Sequence, residues 1–275
     1  MDLKALKDTP PWDWPAGTAE KLVNVLRDEQ ALESDRLLAT EMAGDFTVVN
    51  DELVEALLAV LRCGDESEGL RGRAAISLGP ILEYADTEGF GDAGDVPISE
   101  QTFRQIQESL RELYTDAQIP SEVRRRILEA SVRAPQDWQE NAIRSAYASG
   151  DDTWKLTAVF CMRFVRGFDG QIVEELDNTD TAIELEAVLA AGNWGLEAAW
   201  PHIAALIHSG QTPKPLLLAA IEAVPSVRPR EASEVLSNLT ESDDEDIVEA
   251  VHEALAAAEE TYLEDEDEGD DPFLQ

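Results

Sequence analysis

Arg71-Gly72-Arg73-Ala74-Ala75-Ile76-Ser77-Leu78-Gly79 decides how this chain folds. A charged residue is followed by small and apolar residues at helical spacing, the pattern of a helix that must lie close against its neighbours. The pattern recurs along the 275 residues, with its leading position taken by Arg36, Arg71, Arg124, Lys155, Glu184, Leu217 and Glu249. Successive separations are 35, 53, 31, 29, 33 and 32 residues. A near-constant period of that size marks stacked repeats, each a helical hairpin that cannot bury its apolar face alone.

Working outward, helices pair along the chain. The periodicity predicts pairs over 18–27 and 34–43, 50–62 and 70–85, 99–115 and 121–133, 137–148 and 152–168. Three further pairs follow, over 170–176 and 181–191, 196–208 and 215–224, 229–239 and 245–260. Asp51 stands at an N-cap position, and Leu53, Leu57, Leu58 and Leu61 recur on one face behind it. Residues 1–17 form a rigid lead-in containing Pro10-Pro11-Trp12-Asp13-Trp14-Pro15, whose Trp12 and Trp14 are expected to cap the open end of the stack. The long separation holds a Gly- and Asp-rich loop insert at 86–98. The solenoid spans 18–261, and the acid-rich stretch 262–275 is expected to be a disordered tail.

The Arg71–Gly79 stretch resembles the R-x-x-A-A-x-x-L-G core of HEAT repeats, particularly the short HEAT-like type also found in bacterial phycobilin lyases. Arg36-Leu37-Leu38-Ala39 with Gly44, and Glu184-Leu185-Glu186-Ala187 with Gly192, keep the same offsets, and Val123-Arg124 matches the family's Val-Arg step. The resemblance implies an all-α fold, an armadillo-like α-solenoid superhelix of six to seven HEAT-like hairpins. It also implies that the early arginines hydrogen-bond the turns between repeats. Since the ladder passes from Arg to Lys, Glu and Leu, the C-terminal half is then expected to be held by packing alone. HEAT-type deoxyhypusine hydroxylases need several His-Glu pairs to hold two irons. This chain has one such pair, His252-Glu253, among three histidines.

Composition bounds the function. The net charge is −37, from 58 acidic and 21 basic residues. A field of that sign repels phosphate backbones and anionic membranes and attracts basic partners. Cys63 and Cys161 have no metal-type spacing, the start lacks an apolar secretory segment, and no apolar run approaches membrane-spanning length. Cytoplasmic location follows as the expectation, with a monomer that binds neither nucleic acid nor membrane. No Ser-His-Asp or Cys-His arrangement and no phosphate-cradling loop appears. Hence no catalytic, cofactor or metal residues are assigned, no cofactor is expected, and the chain is expected not to be an enzyme.

One segment departs from the acidic background. Residues 120–168 carry eight basic and six acidic side chains, against 13 and 52 in the other 226 residues. Arginine and tryptophan together are the composition of interface hot spots. The candidate partner-binding residues are Arg124, Arg125, Arg126, Arg133, Trp138, Trp154, Lys155, Arg163, Arg166, Trp194 and Trp200, with Arg125, Arg126 and Arg166 expected to face solvent. The competing reading makes Arg124 and Lys155 structural ladder residues and Trp154 a core residue. The expected function is a protein–protein interaction scaffold whose protein partner docks along the second helices. The alternative is a cofactor or chromophore handling protein related to HEAT-type lyases, or a chaperone-like assembly factor.

Overall fold

The computed structural model describes residues 3–91 and 96–269, with side chains through 261. All regular structure among them is helical. The chain divides into two compact units, residues 1–142 and 143–275. Residues 92–95 of the loop insert and 270–275 of the acidic tail lie outside the described residues.

In the first unit a short helix α1 (Leu3–Lys7) precedes α2 (Thr18–Arg27) and α3 (Glu33–Met42). Next come α4 (Asp51–Arg62), α5 (Glu68–Ser77) and α6 (Gly79–Glu88). α7 (Glu100–Thr115) and α8 (Ser121–Ser131) complete the hairpins, and α9 (Asp137–Tyr147) carries the boundary. First helices pack on first helices (α2 on α4, α4 on α7) and second on second (α3 on α5, α5 on α8), giving two layers with the core between. Leu22, Leu26, Leu53, Leu57 and Leu61 are buried there. Burying a leucine is worth about 1.5–3 kcal/mol, so these faces dominate the hairpins' stability.

In the second unit α10 (Asp152–Cys161) is followed by α11 (Asp169–Glu175) and α12 (Thr181–Asn193). α13 (Trp200–His208), α14 (Lys214–Val227), α15 (Ala232–Leu236) and α16 (Glu245–Gly269) complete it. Here α10, α12, α14 and α16 stack side by side in chain order. Gly192 makes the closest step. A Cβ there would lie 2.8 Å from the Ala223 Cβ, so only glycine lets α12 and α14 meet at this point.

Local chemistry sets the helix starts. Asn50 accepts from the Leu53 amide at 2.9 Å, so the cap of α4 is Asn50 and not Asp51, whose carboxylate instead accepts from the Ser99 amide at 2.7 Å. Ser67, Ser99, Asp151 and Asp180 cap α5, α7, α10 and α12 in the same way. Such a cap is worth about 1 kcal/mol.

Four expectations are corrected. The helix over 70–85 breaks at Leu78, because Pro80 has no amide hydrogen and cannot continue the α5 ladder, so α6 starts anew. The helix over 152–168 ends at Cys161. Trp14 closes the N-terminal end, its Nε1 donating to the carbonyls of Leu6 (3.1 Å) and Thr9 (2.9 Å), whereas Trp12 is 77% exposed. The helical backbone of α16 also runs past position 262, where the sequence suggests a disordered tail.

Two ladder arginines clasp the first helix of their own hairpin, and one of them also reaches the turn of the next. Arg36 Nη2 donates to the Leu26 carbonyl at 3.0 Å and Arg71 Nε to the Leu61 carbonyl at 2.9 Å, each ten residues back. Those carbonyls belong to the last turns of α2 and α4, where the helix leaves them without backbone partners. Arg36 also pairs with Glu66, 2.6 Å away in the following turn. Nor is the second unit held by packing alone. Lys155 bridges to Glu175 at 3.0 Å, and Glu184 meets His202 at 3.1 Å. Trp194 Nε1 and Asn193 Nδ2 donate to the carbonyls of Met162 and Arg163, each at 2.7 Å.

Arg71→Met removes a buried charged donor and is expected to cost about 1.5–3 kcal/mol, while exposed Arg73→Met stays within about 0.5 kcal/mol. Urea unfolding of both variants measures the gap.

Candidate interaction site

The basic segment divides between the two units, so its residues are taken in turn. In the first unit Arg125 and Arg126 sit on α8 with Glu122 one turn before and Glu129 one turn after. Arg125 reaches Glu122 and Glu129 at 2.9 Å each, and Arg126 reaches them at 3.0 and 2.8 Å. Arg125 is only 8% exposed and Glu129 7%, contrary to the expectation that Arg125 faces solvent. Burial pushes the Glu122 carboxyl up, but hydrogen bonds and charge from Arg125 and Arg126 outweigh it and hold the group below the usual range. For Arg126 burial opposes the charged form, yet Glu129 and Glu122 hold its guanidinium above its ordinary value.

Other members of the segment are also engaged. Arg133 lies over Gly79, where an added Cβ would come within 2.7 Å of its Cδ, and its guanidinium pairs with Glu83. Arg124, by contrast, is half buried, and its Nε has no hydrogen-bond partner among the described residues. Trp138 stacks on Tyr114 with ring centroids 5.1 Å apart and donates to Gln136 at 2.7 Å. Within the first unit Arg125, Arg126 and Arg133 are each met by a carboxylate of the same unit.

In the second unit Lys155 joins a clasp centred on the buried Glu175 carboxylate. Tyr147 donates to it at 2.5 Å, Lys155 at 3.0 Å, and Asn178 also donates. Burial raises the Glu175 pKa, but the three donors and the Lys155 charge together bring it below the ordinary value. Burial and the hydrogen bond to Glu175, with the charges of Glu175 and Glu174, hold the Tyr147 phenol far above its ordinary value. A phenol so protonated is no general base near neutral pH.

Four further candidates are more open. Arg163 pairs with Glu186 at 3.3 Å and lies over the rings of Phe160 and Phe164. Arg166 is exposed and stacks on Trp194, 4.2 Å from the ring centroid, as a cation–π contact. Trp154 is half buried at the start of α10, not a core residue, and Trp200 is half buried at the start of α13.

The second helices of this unit also form open cavities. One of about 270 Å³ touches Arg163, Leu189, Gly192, Glu222 and Pro225. Another of about 410 Å³ lies between α14 and α16. In the sequence α14 reads as an apolar run with one acid, Glu222, and Leu218, Glu222 and Pro225 already fall on one helical stripe. His202 sits between Asp177 (3.4 Å) and Glu184 (3.1 Å), and His208 contacts the Ala204 carbonyl. No helix among the described residues is long and apolar enough to cross a membrane.

Arg125→Met is expected to cost about 2–3 kcal/mol, since it strips a buried carboxylate of a charged donor. Arg166→Met, which loses only a surface stacking contact, costs below about 1 kcal/mol. Chemical denaturation separates the two.

Glu175→Gln should destabilise the chain at neutral pH. Because the folded carboxyl titrates below the ordinary 4.5, its contribution is present above that value and is lost as pH falls through the lowered folded value. The stability difference between wild type and Glu175→Gln should therefore shrink below pH 4.5 in a pH series of denaturation curves.

No protein-family profile matches the chain, and no curated protein matches it significantly. Among solved structures it is similar to human deoxyhypusine hydroxylase in complex with glycerol, at 15% identity and a TM-score of 0.41, covering 94% of this chain and 88% of that one. It is also similar to an engineered protein, a structural-genomics target, at 19% identity and a TM-score of 0.35, covering 88% and 97%. Neither likeness assigns an activity. The expectation that the chain is not an enzyme is withdrawn, since the first of these proteins is an enzyme. Each unit is an array of packed helical hairpins.

Proposed function

We propose that this chain is a protein-binding scaffold of short HEAT-like repeats, acting in the cytoplasm, whose partner docks on the second helices of the second unit. The observation that supports this reading is the unbroken row α10, α12, α14 and α16, along which two open cavities adjoin, with Glu222, Pro225 and Ala257 lining both. A surface of that kind offers a partner several helical turns of contact without a change of fold. The location agrees with free Cys63 and Cys161. Arg166 on Trp194 remains the member of the basic segment best placed to touch a partner, since Arg125, Arg133 and Lys155 are committed to internal carboxylates.

A photo-crosslinking residue placed at Leu189 or at Glu222 is expected to trap the same polypeptide. The same residue at exposed His208, on first helix α13, is expected not to trap it. Equal capture from His208 would overturn the assignment of the face.

A further inference from the structure

We propose that the groove between α14 and α16 receives a cationic amphipathic helix of about three turns from a partner protein. The inference rests on the scaffold reading and narrows it to one groove and one partner chemistry.

The groove has an apolar floor and an acidic rim. Leu218, Pro225, Ala250 and Ala257 supply the floor, and Glu222, Glu249 and Glu253 stand along the rim. On α14 the lining falls at steps of four and three residues (218, 222, 225), and on α16 at steps of three and four from 246 to 257. These are single stripes of two neighbouring helices, so the space between them is a straight channel. Eleven helical steps on α16 give a length of roughly 16 Å, or about three turns of a third helix laid in it. Small side chains keep the floor open: Ala250 and Ala257 leave room that leucines would fill.

Charge selects the occupant. Asp246, at one end of the channel, is already tied to Lys214 at 2.6 Å, whereas Glu222, Glu249 and Glu253 form no ion pair among the described residues. From Glu231 to the C-terminus the sequence holds 18 acids and neither Lys nor Arg. The chain's own acidic end would therefore meet like charge in the groove, and so would a second copy at −37. Carboxylates within roughly 8–10 Å of one another still repel at physiological salt. A helix with leucine-like side chains on one face and Lys or Arg on its flanks satisfies floor and rim together, the helix-in-groove mode of recognition.

The probe is an 18-residue designed helix, leucine on one face and lysine on the other, titrated by fluorescence anisotropy at physiological salt against the full chain. The triple variant Glu222→Gln, Glu249→Gln, Glu253→Gln is expected to weaken binding about 10- to 30-fold. Replacing three exposed acids of the first unit (Glu20→Gln, Glu29→Gln, Glu55→Gln) removes the same charge and should change it less than about threefold. Ala257→Trp, which fills the floor without altering charge, should weaken it about tenfold, as should exchanging the probe's leucines for serines. Equal loss in the two triple variants would reduce the effect to net charge, and indifference to Ala257→Trp and to the serine probe would remove the floor; either result overturns the proposal. If the groove fails while Leu189 still traps a partner, the scaffold reading stands and this occupant does not.

Discussion

A helix ends with carbonyls that its own backbone cannot satisfy, and a hairpin repeat buries such an end at every turn. Arg36 and Arg71 resolve this by reaching back ten residues to the last-turn carbonyls of α2 and α4. A guanidinium suits the position because it supplies several donors and a positive charge at the negative end of the helix dipole. The ends of two second helices are met by other donors. Gln139 caps the Ser131 carbonyl of α8 at 2.7 Å, and Trp194 and Asn193 reach the turn after α10. The layers can stack on apolar faces only because these polar ends are settled first.

The same requirement explains the fate of the basic segment. An arginine beside a packed interface costs free energy unless a carboxylate meets it. α8 places Glu122 and Glu129 three and four residues from both Arg125 and Arg126, so one helix solves the problem with its own side chains. The four charges paired on α8 thus form a neutral cluster in the first unit, and the segment's surplus of two basic residues lies in 143–168. In the second unit the surplus is arranged differently, with Arg166 lying on the Trp194 face.

Much of the fold is legible in the sequence, because a repeat period and alternating faces are local signals. The bounds of α2 and α4 follow from their apolar stripes and following turns. Pro80 is a readable stop that the run of small residues around it masks. The four-charge cluster on α8 was also within reach, since its spacings are those of neighbouring helical turns. Arg133 with Glu83, fifty residues apart, and Glu175 with Tyr147, twenty-eight apart, were not. Such pairs depend on which hairpins become neighbours, and no local pattern carries that. The groove of the second unit falls between: each stripe is periodic in sequence, but only the packing of α14 on α16 turns two stripes into a channel.

The distance over which each array is tied has a consequence for how the protein can change over generations. In the first unit the arginine clasps on α2 and α4 each close inside one hairpin, so a copy of either hairpin would carry the fastening of its own first helix. In the second unit the ties from Asn193 and Trp194 span 30 and 32 residues and join successive hairpins. Loss of the α11–α12 hairpin there strips donors from the one before it. The hairpins clasped by Arg36 and Arg71 can be copied with that fastening, while the hairpins joined through α10 and α12 must be kept or lost together.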